Sequence, residues 1–224
     1  MKLSRLFVIT ALVGTVAVIG CSSDNGGSGG TAGSGGTAGA GGTAGAGGTG
    51  GTDDGVVRVF VTSEAFNGDL GGLSGADTIC TTAADAEDLS GTWTAWLSDS
   101  NTHAKDRIAD GEYQLLDGTV VANDKAELTS GTLQAAINLD EQGGTVGDAS
   151  DAAVWTATAA DGTEAEDGGS CEQWMLGTTG AGGAGGAPER GRIGDARATD
   201  GEWTDQGGGQ PCDFTNRLYC FSAD

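Results

Sequence analysis

A domain mixing short β-strands with one principal helix, set behind a secretory leader and a glycine-rich segment, is what the sequence predicts. Three observations carry this. Residues 56–62, VVRVFVT, are rich in β-branched types and lie between Gly55 and a polar turn, as a strand requires. Residues 73–88 put Leu73, Ala76, Ile79, Cys80, Ala83 and Ala84 on one face at helical spacing. Residues 92–98 set Trp93, Ala95 and Leu97 against Thr92, Thr94, Trp96 and Ser98 at the period of a strand.

From the start of the chain, Lys2 and Arg5 precede an apolar and small-residue run from Leu6 to Gly20. That run is shorter than the roughly 20 apolar residues of a membrane-spanning helix and has the form of a signal peptide, residues 1–20. It ends in Val18-Ile19-Gly20-Cys21, which resembles the lipobox of bacterial lipoprotein precursors. The resemblance implies acylation of Cys21 and anchoring of the exported protein at the cell envelope. With Ser22 next in the chain, a Gram-negative source would imply the outer membrane or cell surface. More than one acyl chain gives stable anchoring, since each buried methylene adds about 0.8 kcal/mol.

Residues 21–54 follow as lipidated cysteine and linker, almost all Gly, Thr, Ala and Ser in a six-residue period from Gly29. A β-helix rung needs an aliphatic interior residue, and this repeat offers nothing larger than Thr, so a flexible, disordered tether is expected. A glycine-rich coil of this length reaches about 30 Å. Residues 55–224 remain for one folded domain, a comfortable single core.

Within that domain, Ser74 is expected to cap the helix with Asp77 three residues on. Further strands are expected at 120–122, 153–157 and 218–221, and a second short helix at 133–137. Residues 177–191 turn glycine-rich again and read as an inserted loop. Trp93, Trp96, Trp155, Trp174 and Trp203 read chiefly as packing residues.

Charge excludes whole classes of partner. Taking Lys2 and Arg5 from the ten basic residues leaves eight against 32 acidic ones, a net charge of −24 after processing. Nucleic acid and anionic membrane surfaces are repelled by such a chain. With Cys21 lipidated, Cys80, Cys171, Cys212 and Cys220 read as two disulfides with three connectivities open.

Several segments, in order, resemble one family. GLSGADTICTTAADAEDLSGTWTAWLSDS (72–100) is similar to the opening of the endostatin domain that ends certain collagens, with its cysteine-bearing helix and Gly-Thr-aromatic strand. AVWTATAADG (153–162), CEQW (171–174) and LYCF (218–221) are similar to its Val-Trp strand, Cys-Glu-x-Trp segment and final Leu-Cys strand. The same pattern marks a domain of bacterial surface lipoproteins, and the chain is identified as a member. The resemblance spans nearly all of residues 56–224. It implies an α+β, C-type-lectin-like fold whose first and last strands meet, with nested bridges Cys80–Cys220 and Cys171–Cys212. On the chain-entropy model each such bridge contributes about 4–5 kcal/mol.

The same resemblance gives Trp203-Thr204-Asp205 a context. Calcium-dependent lectins carry Trp-Asn-Asp just before a conserved cysteine, and the Asn and Asp are calcium ligands. Here Asp205 matches, Thr204 replaces the Asn, and the upstream Glu-Pro-Asn-type tripeptide is missing. Calcium takes six to eight oxygens, so a site at Asp205 needs help from Glu202 and the acidic stretch Asp161, Glu164, Glu166 and Asp167. Calcium is the one candidate cofactor. Endostatin-type zinc needs several histidines, and only His103 is present, in a polar turn expected to face solvent. Trp203, Arg190, Arg192 and Arg197 are the candidate ligand contacts, the arginines (with Arg217) as a local positive patch for an anionic glycan.

Catalysis has few parts available. One histidine and no free cysteine leave the Ser-His-Asp and Cys-His arrangements incomplete, and no pair among the acids stands out for glycoside hydrolysis. No Gly-Lys-Ser/Thr follows the glycine-rich runs, so they are not phosphate loops. The expected function is non-enzymatic binding of a carbohydrate, a matrix component or a protein through the loops between Asp161 and Gln210. The alternatives are a structural envelope protein without a dedicated site, and a secreted hydrolase.

Overall fold

The computed structural model describes residues 55–166, 169–179 and 188–223. The expected signal peptide, Cys21 and tether lie outside these residues, as does most of the glycine-rich stretch after Gly177. The order is β1 (Val56–Val61), α1 (Gly72–Ala86), β2 (Trp93–Ala95), β3 (Glu112–Leu115), β4 (Val120–Ala122), α2 (Lys125–Leu128), β5 (Ala153–Trp155), β6 (Arg190–Asp195), β7 (Gly209–Pro211) and β8 (Tyr219–Ser222). Among the described residues, no helix is long and apolar enough to cross a membrane.

Two sheets organise the domain. The larger runs β2-β8-β1-β3-β4 and the smaller β5-β6-β7. β1 pairs parallel with β3 and antiparallel with β8, so the first and last strands are neighbours. Successive side chains of a strand point to opposite faces, and here both faces are covered. Val57, Val59, Val61, Trp96, Tyr219 and Phe221 enter one core, while Phe60, Trp93, Ala95, Leu97 and Cys220 enter the other. Trp96 therefore keeps the alternation of residues 92–98, and its face is buried too. The second core receives Ala76, Cys80 and Ala84 from α1. All five tryptophans are buried.

Local chemistry differs from expectation at three places. Ser74 does not cap α1: the helix starts from Gly71, in left-handed conformation at φ 77°, without a side-chain cap. Asp77 instead accepts the Ala95 amide at 2.9 Å and both Arg107 Nη2 contacts at 2.7 and 2.8 Å, pinning α1 to β2. Residues 133–137 form no helix, because the Leu133 and Gln134 amides donate to the carbonyls of Thr199 and Val121, outside the segment. The second helix is α2, where Asp124 caps the Glu127 amide at 2.8 Å and Glu127 accepts the Asn123 amide at 2.7 Å. That reciprocal pattern is legible in Asp124-Lys125-Ala126-Glu127.

Residues Cys171–Trp174 make a left-handed turn, with φ between 48° and 64°. Non-glycine residues adopt this at about 1–2 kcal/mol each, so the surroundings must hold it. The Ser170 hydroxyl accepts the Gln173 amide at 3.3 Å, buried Trp174 donates to the Ser98 carbonyl at 2.9 Å, and Cys171 is bonded to Cys212. The bridges are Cys80–Cys220 and Cys171–Cys212, the second nested inside the first.

Candidate functional site

The Trp203-Thr204-Asp205 triplet is held inside the domain. Trp203 is fully buried, its ring centroid 5.1 Å from that of Trp96 and 5.5 Å from that of Tyr219. It is a packing residue with no face open to a ligand, which corrects its expected role as a contact. Thr204, also fully buried, accepts the Trp96 indole N–H at 2.9 Å and donates to the Thr158 carbonyl at 3.1 Å. Its own carbonyl accepts the Thr156 hydroxyl at 2.6 Å. Threonine at this position joins three segments through one hydroxyl and one carbonyl.

Two of the acids expected around calcium, Asp205 and Asp161, have other partners. Asp205 accepts the Gly207 amide at 2.8 Å and lies 3.3 Å from Arg192 Nε. The Asp161 carboxylate accepts the Thr163 hydroxyl and amide at 2.6 and 3.0 Å, which hold it below the usual carboxylate range. Asp200 caps the 3-10 turn Gly201–Trp203 by accepting the Glu202 amide at 3.1 Å. Glu164 donates its amide to His103 Nδ1 at 2.9 Å, so His103 is half-buried and engaged, against the expectation of a solvent-facing residue. Glu166 is exposed, and Asp167 lies outside the described residues. Among the described residues, no group of three or more His, Cys, Asp or Glu side chains converges as a metal site requires.

Each of the arginines has a partner of its own. Arg190 is exposed on β6 and donates to the Gly209 carbonyl at 2.6 Å. Arg192 pairs with Asp205, and Arg197 grips Asp195 through Nε at 3.0 Å and Nη2 at 2.6 Å. Arg217 is buried, with Nη1 donating to the Thr62 and Ser63 carbonyls at 2.5 and 2.6 Å and Nη2 paired with Asp151.

Two concavities do present open chemistry. The first, about 480 Å³, is lined by Ser150, Gln210, Asp213, Phe214, Thr215 and Asn216. Its working rim is a short loop pinned at both ends. At one end the Cys212 carbonyl accepts the Gly68 amide at 2.8 Å and its thiol is bridged; at the other, Asn216 exchanges amide and carbonyl bonds of 2.8 and 2.9 Å with Phe66. Between them Phe214 stands 52 % exposed, one of two large apolar side chains left to solvent among the described residues. Asn216 is only 3 % exposed, and its Nδ2 has no hydrogen-bond partner among the described residues. It also lines an adjoining chamber of about 20 Å³, the volume of roughly one water. Among the described residues of the long-loop region expected to bind, Gln210 alone reaches this groove. Phe214 passed unnoticed in the sequence, although an aromatic between two polar residues just past a cysteine was a usable signal.

The second concavity, about 350 Å³, runs between α1 and the end of β1. Phe66, Ile79 and Ala83 form an apolar wall, and Ser63, Glu141 and Gln142 a polar floor. No local pattern announces Glu141; the turn that carries it is brought in by the Val61 amide, which donates to the Leu139 carbonyl at 3.0 Å. Comparison with protein-family models and with curated proteins gives no match.

Proposed function

We propose that this chain is an exported lipoprotein, acylated at Cys21, whose C-type-lectin-like, endostatin-like domain binds neutral carbohydrate at the cell surface without catalysis. Supporting the fold reading are the adjacency of β1 and β8 and the pairing of Cys80 with Cys220 and Cys171 with Cys212, both implied by the family resemblance. Supporting the ligand class is one observation above all: exposed Phe214 beside a groove edged by Asp213, Gln210, Ser150 and Asn216. A pyranose offers an apolar C–H face and a ring of hydroxyls. An aromatic surface takes the first, and a few fixed polar groups take the second. The unpartnered Asn216 amide is a donor in want of an acceptor, and a sugar oxygen or a bridging water supplies one. Burying that donor unpaired costs about 1–3 kcal/mol, so binding that satisfies it is favoured.

A glycan array probed with the purified protein, followed by calorimetry on the strongest neutral sugar, tests this. Phe214→Ala is expected to weaken binding about tenfold or more, the effect of roughly 1.4 kcal/mol, with an unchanged melting temperature because the ring packs little of the core. An array without neutral-sugar binding, or Phe214→Ala at wild-type affinity, would refute the assignment; capture of a protein in its place would point to a protein partner.

A further inference from the structure

The geometry points to a second ligand site, separate from the Phe214 groove, that takes a small organic ammonium with an apolar body in the cleft between α1 and Glu141. No lining residue is shared between the two concavities. The cleft's volume, about 350 Å³, falls in the range of small-molecule pockets, roughly 300–1,000 Å³, and like them it is mostly apolar with a few fixed polar groups.

Glu141 sets the ligand's charge. It is only 8 % exposed, and none of the ion pairs among the described residues involves it. One carboxylate oxygen accepts the Ser63 amide at 2.8 Å and the other the Ser63 hydroxyl. Each oxygen has two lone-pair sites, so each keeps one acceptor site after these bonds. Arg217, which meets the end of β1, is already committed: it donates to the Thr62 and Ser63 carbonyls and is paired with Asp151. A buried carboxylate without a cation is an electrostatic deficit that an incoming ammonium fills.

The floor is preorganised for this. Asp140 folds the Glu141 turn on itself by accepting the Gln142 and Gly144 amides at 3.0 and 2.6 Å, and the Gly143 amide returns to the Asp140 carbonyl at 3.0 Å. Opposite, Thr78 and Thr82 spend their hydroxyls on helix carbonyls at 3.0 and 2.7 Å, so the polar demand of the cleft falls on the Glu141 side. Ile79, Ala83 and Phe66 are left to meet the apolar body. A primary ammonium, with three donors and a chain of several carbons, matches both walls.

Calorimetry of the full chain with n-hexylammonium, n-hexanol and hexanoate reads the proposal. Hexylammonium is expected to bind at one site with a dissociation constant of roughly 1 mM or below, the reach of so small a ligand, and the other two at least about tenfold more weakly. Glu141→Gln is expected to weaken hexylammonium about tenfold to a hundredfold, the effect of one charge-assisted bond. Should Glu141→Gln fail to fold, Ala83→Trp, which fills the cleft from the half-exposed face of α1, is expected to abolish uptake with Glu141 intact. Equal affinity for hexanol, retention of binding by Ala83→Trp, or no saturable heat with hexylammonium overturns it. Loss of sugar binding in Phe214→Ala leaves these outcomes untouched, so the two sites are judged independently.

Discussion

Tyr113 and Tyr219, the only tyrosines, show how single side chains report on the core. Burial, then the nearby charges of Asp110 and Asp124, push the Tyr113 phenol far above its ordinary range; burial, then Asp195, do the same for Tyr219. Both hydroxyls donate to backbone carbonyls, Ala109 at 2.7 Å and Trp203 at 2.9 Å, and an ionised phenolate would lose that bond and face the carbonyl dipole. With folded values raised, the stability these groups contribute is complete below the unfolded value near 10 and is lost as pH rises above it, where only the unfolded chain ionises. Absorbance at alkaline pH should therefore stay flat through pH 10, with tyrosinate appearing only together with loss of the near-ultraviolet circular dichroism. A tyrosinate signal near pH 10 in the folded protein would contradict the burial of both rings. Thr204 makes the companion point: the residue that departs from the lectin calcium triplet is the one whose hydroxyl links Trp96 to Thr158.

At the scale of elements, β6 is the instructive strand. Its sequence, Arg190-Gly191-Arg192-Ile193-Gly194-Asp195, has neither β-branched density nor alternation, and glycine is a poor strand residue by propensity. Two close approaches explain the glycines. A Cβ on Gly191 would lie 2.6 Å from the Trp155 ring, and one on Gly194 would lie 2.0 Å from the Trp203 carbonyl oxygen. A backbone oxygen cannot step aside as a side chain can, so Gly194→Ala is expected to lower unfolding free energy by at least about 3 kcal/mol in urea titration. Gly147→Ala, where a Cβ meets nothing within 4 Å, is the control and should change little. Comparable midpoints for the two variants would show that β6 does not pack as tightly on Trp203 as described. α1 is legible for the opposite reason, since its buried Ala76, Cys80 and Ala84 recur at helical spacing.

Across the whole molecule, the bridges join elements far apart in the chain. Cys80–Cys220 closes a separation of 140 residues and ties α1 to β8, while Cys171–Cys212 closes 41 and ties the left-handed turn to the Phe214 loop. Longer loops lose more entropy on closure, so Cys80→Ala/Cys220→Ala is expected to cost about 5 kcal/mol and Cys171→Ala/Cys212→Ala about 4 kcal/mol. The second pair is expected also to loosen the loop carrying Phe214, weakening sugar binding at temperatures where the domain stays folded. Non-reducing peptide mapping that joined Cys80 to Cys171 would refute the pairing, and equal tolerance of both double variants would refute the ordering.

The sequence by itself determined the strand-and-helix alternation at β1, α1, β2, β4, β5 and β8, the even count of cysteines in the domain and the packing role of Trp93, Trp96, Trp155 and Trp174. Each of these is written in residue type and in spacing of two to four, within reach of local sterics and solvation. Tertiary structure decided the rest. It chose β6 through two glycines whose reason lies some ten to forty residues away in Trp203 and Trp155, and turned Asp77 from an expected cap into a clasp on Arg107. It withdrew Trp203 and Thr204 into the core, gave Asp205 to Arg192, and left Phe214 and Glu141 to edge the two grooves. Which side chains meet across such distances depends on how chain reversals stack the sheets, and a local pattern carries no record of that.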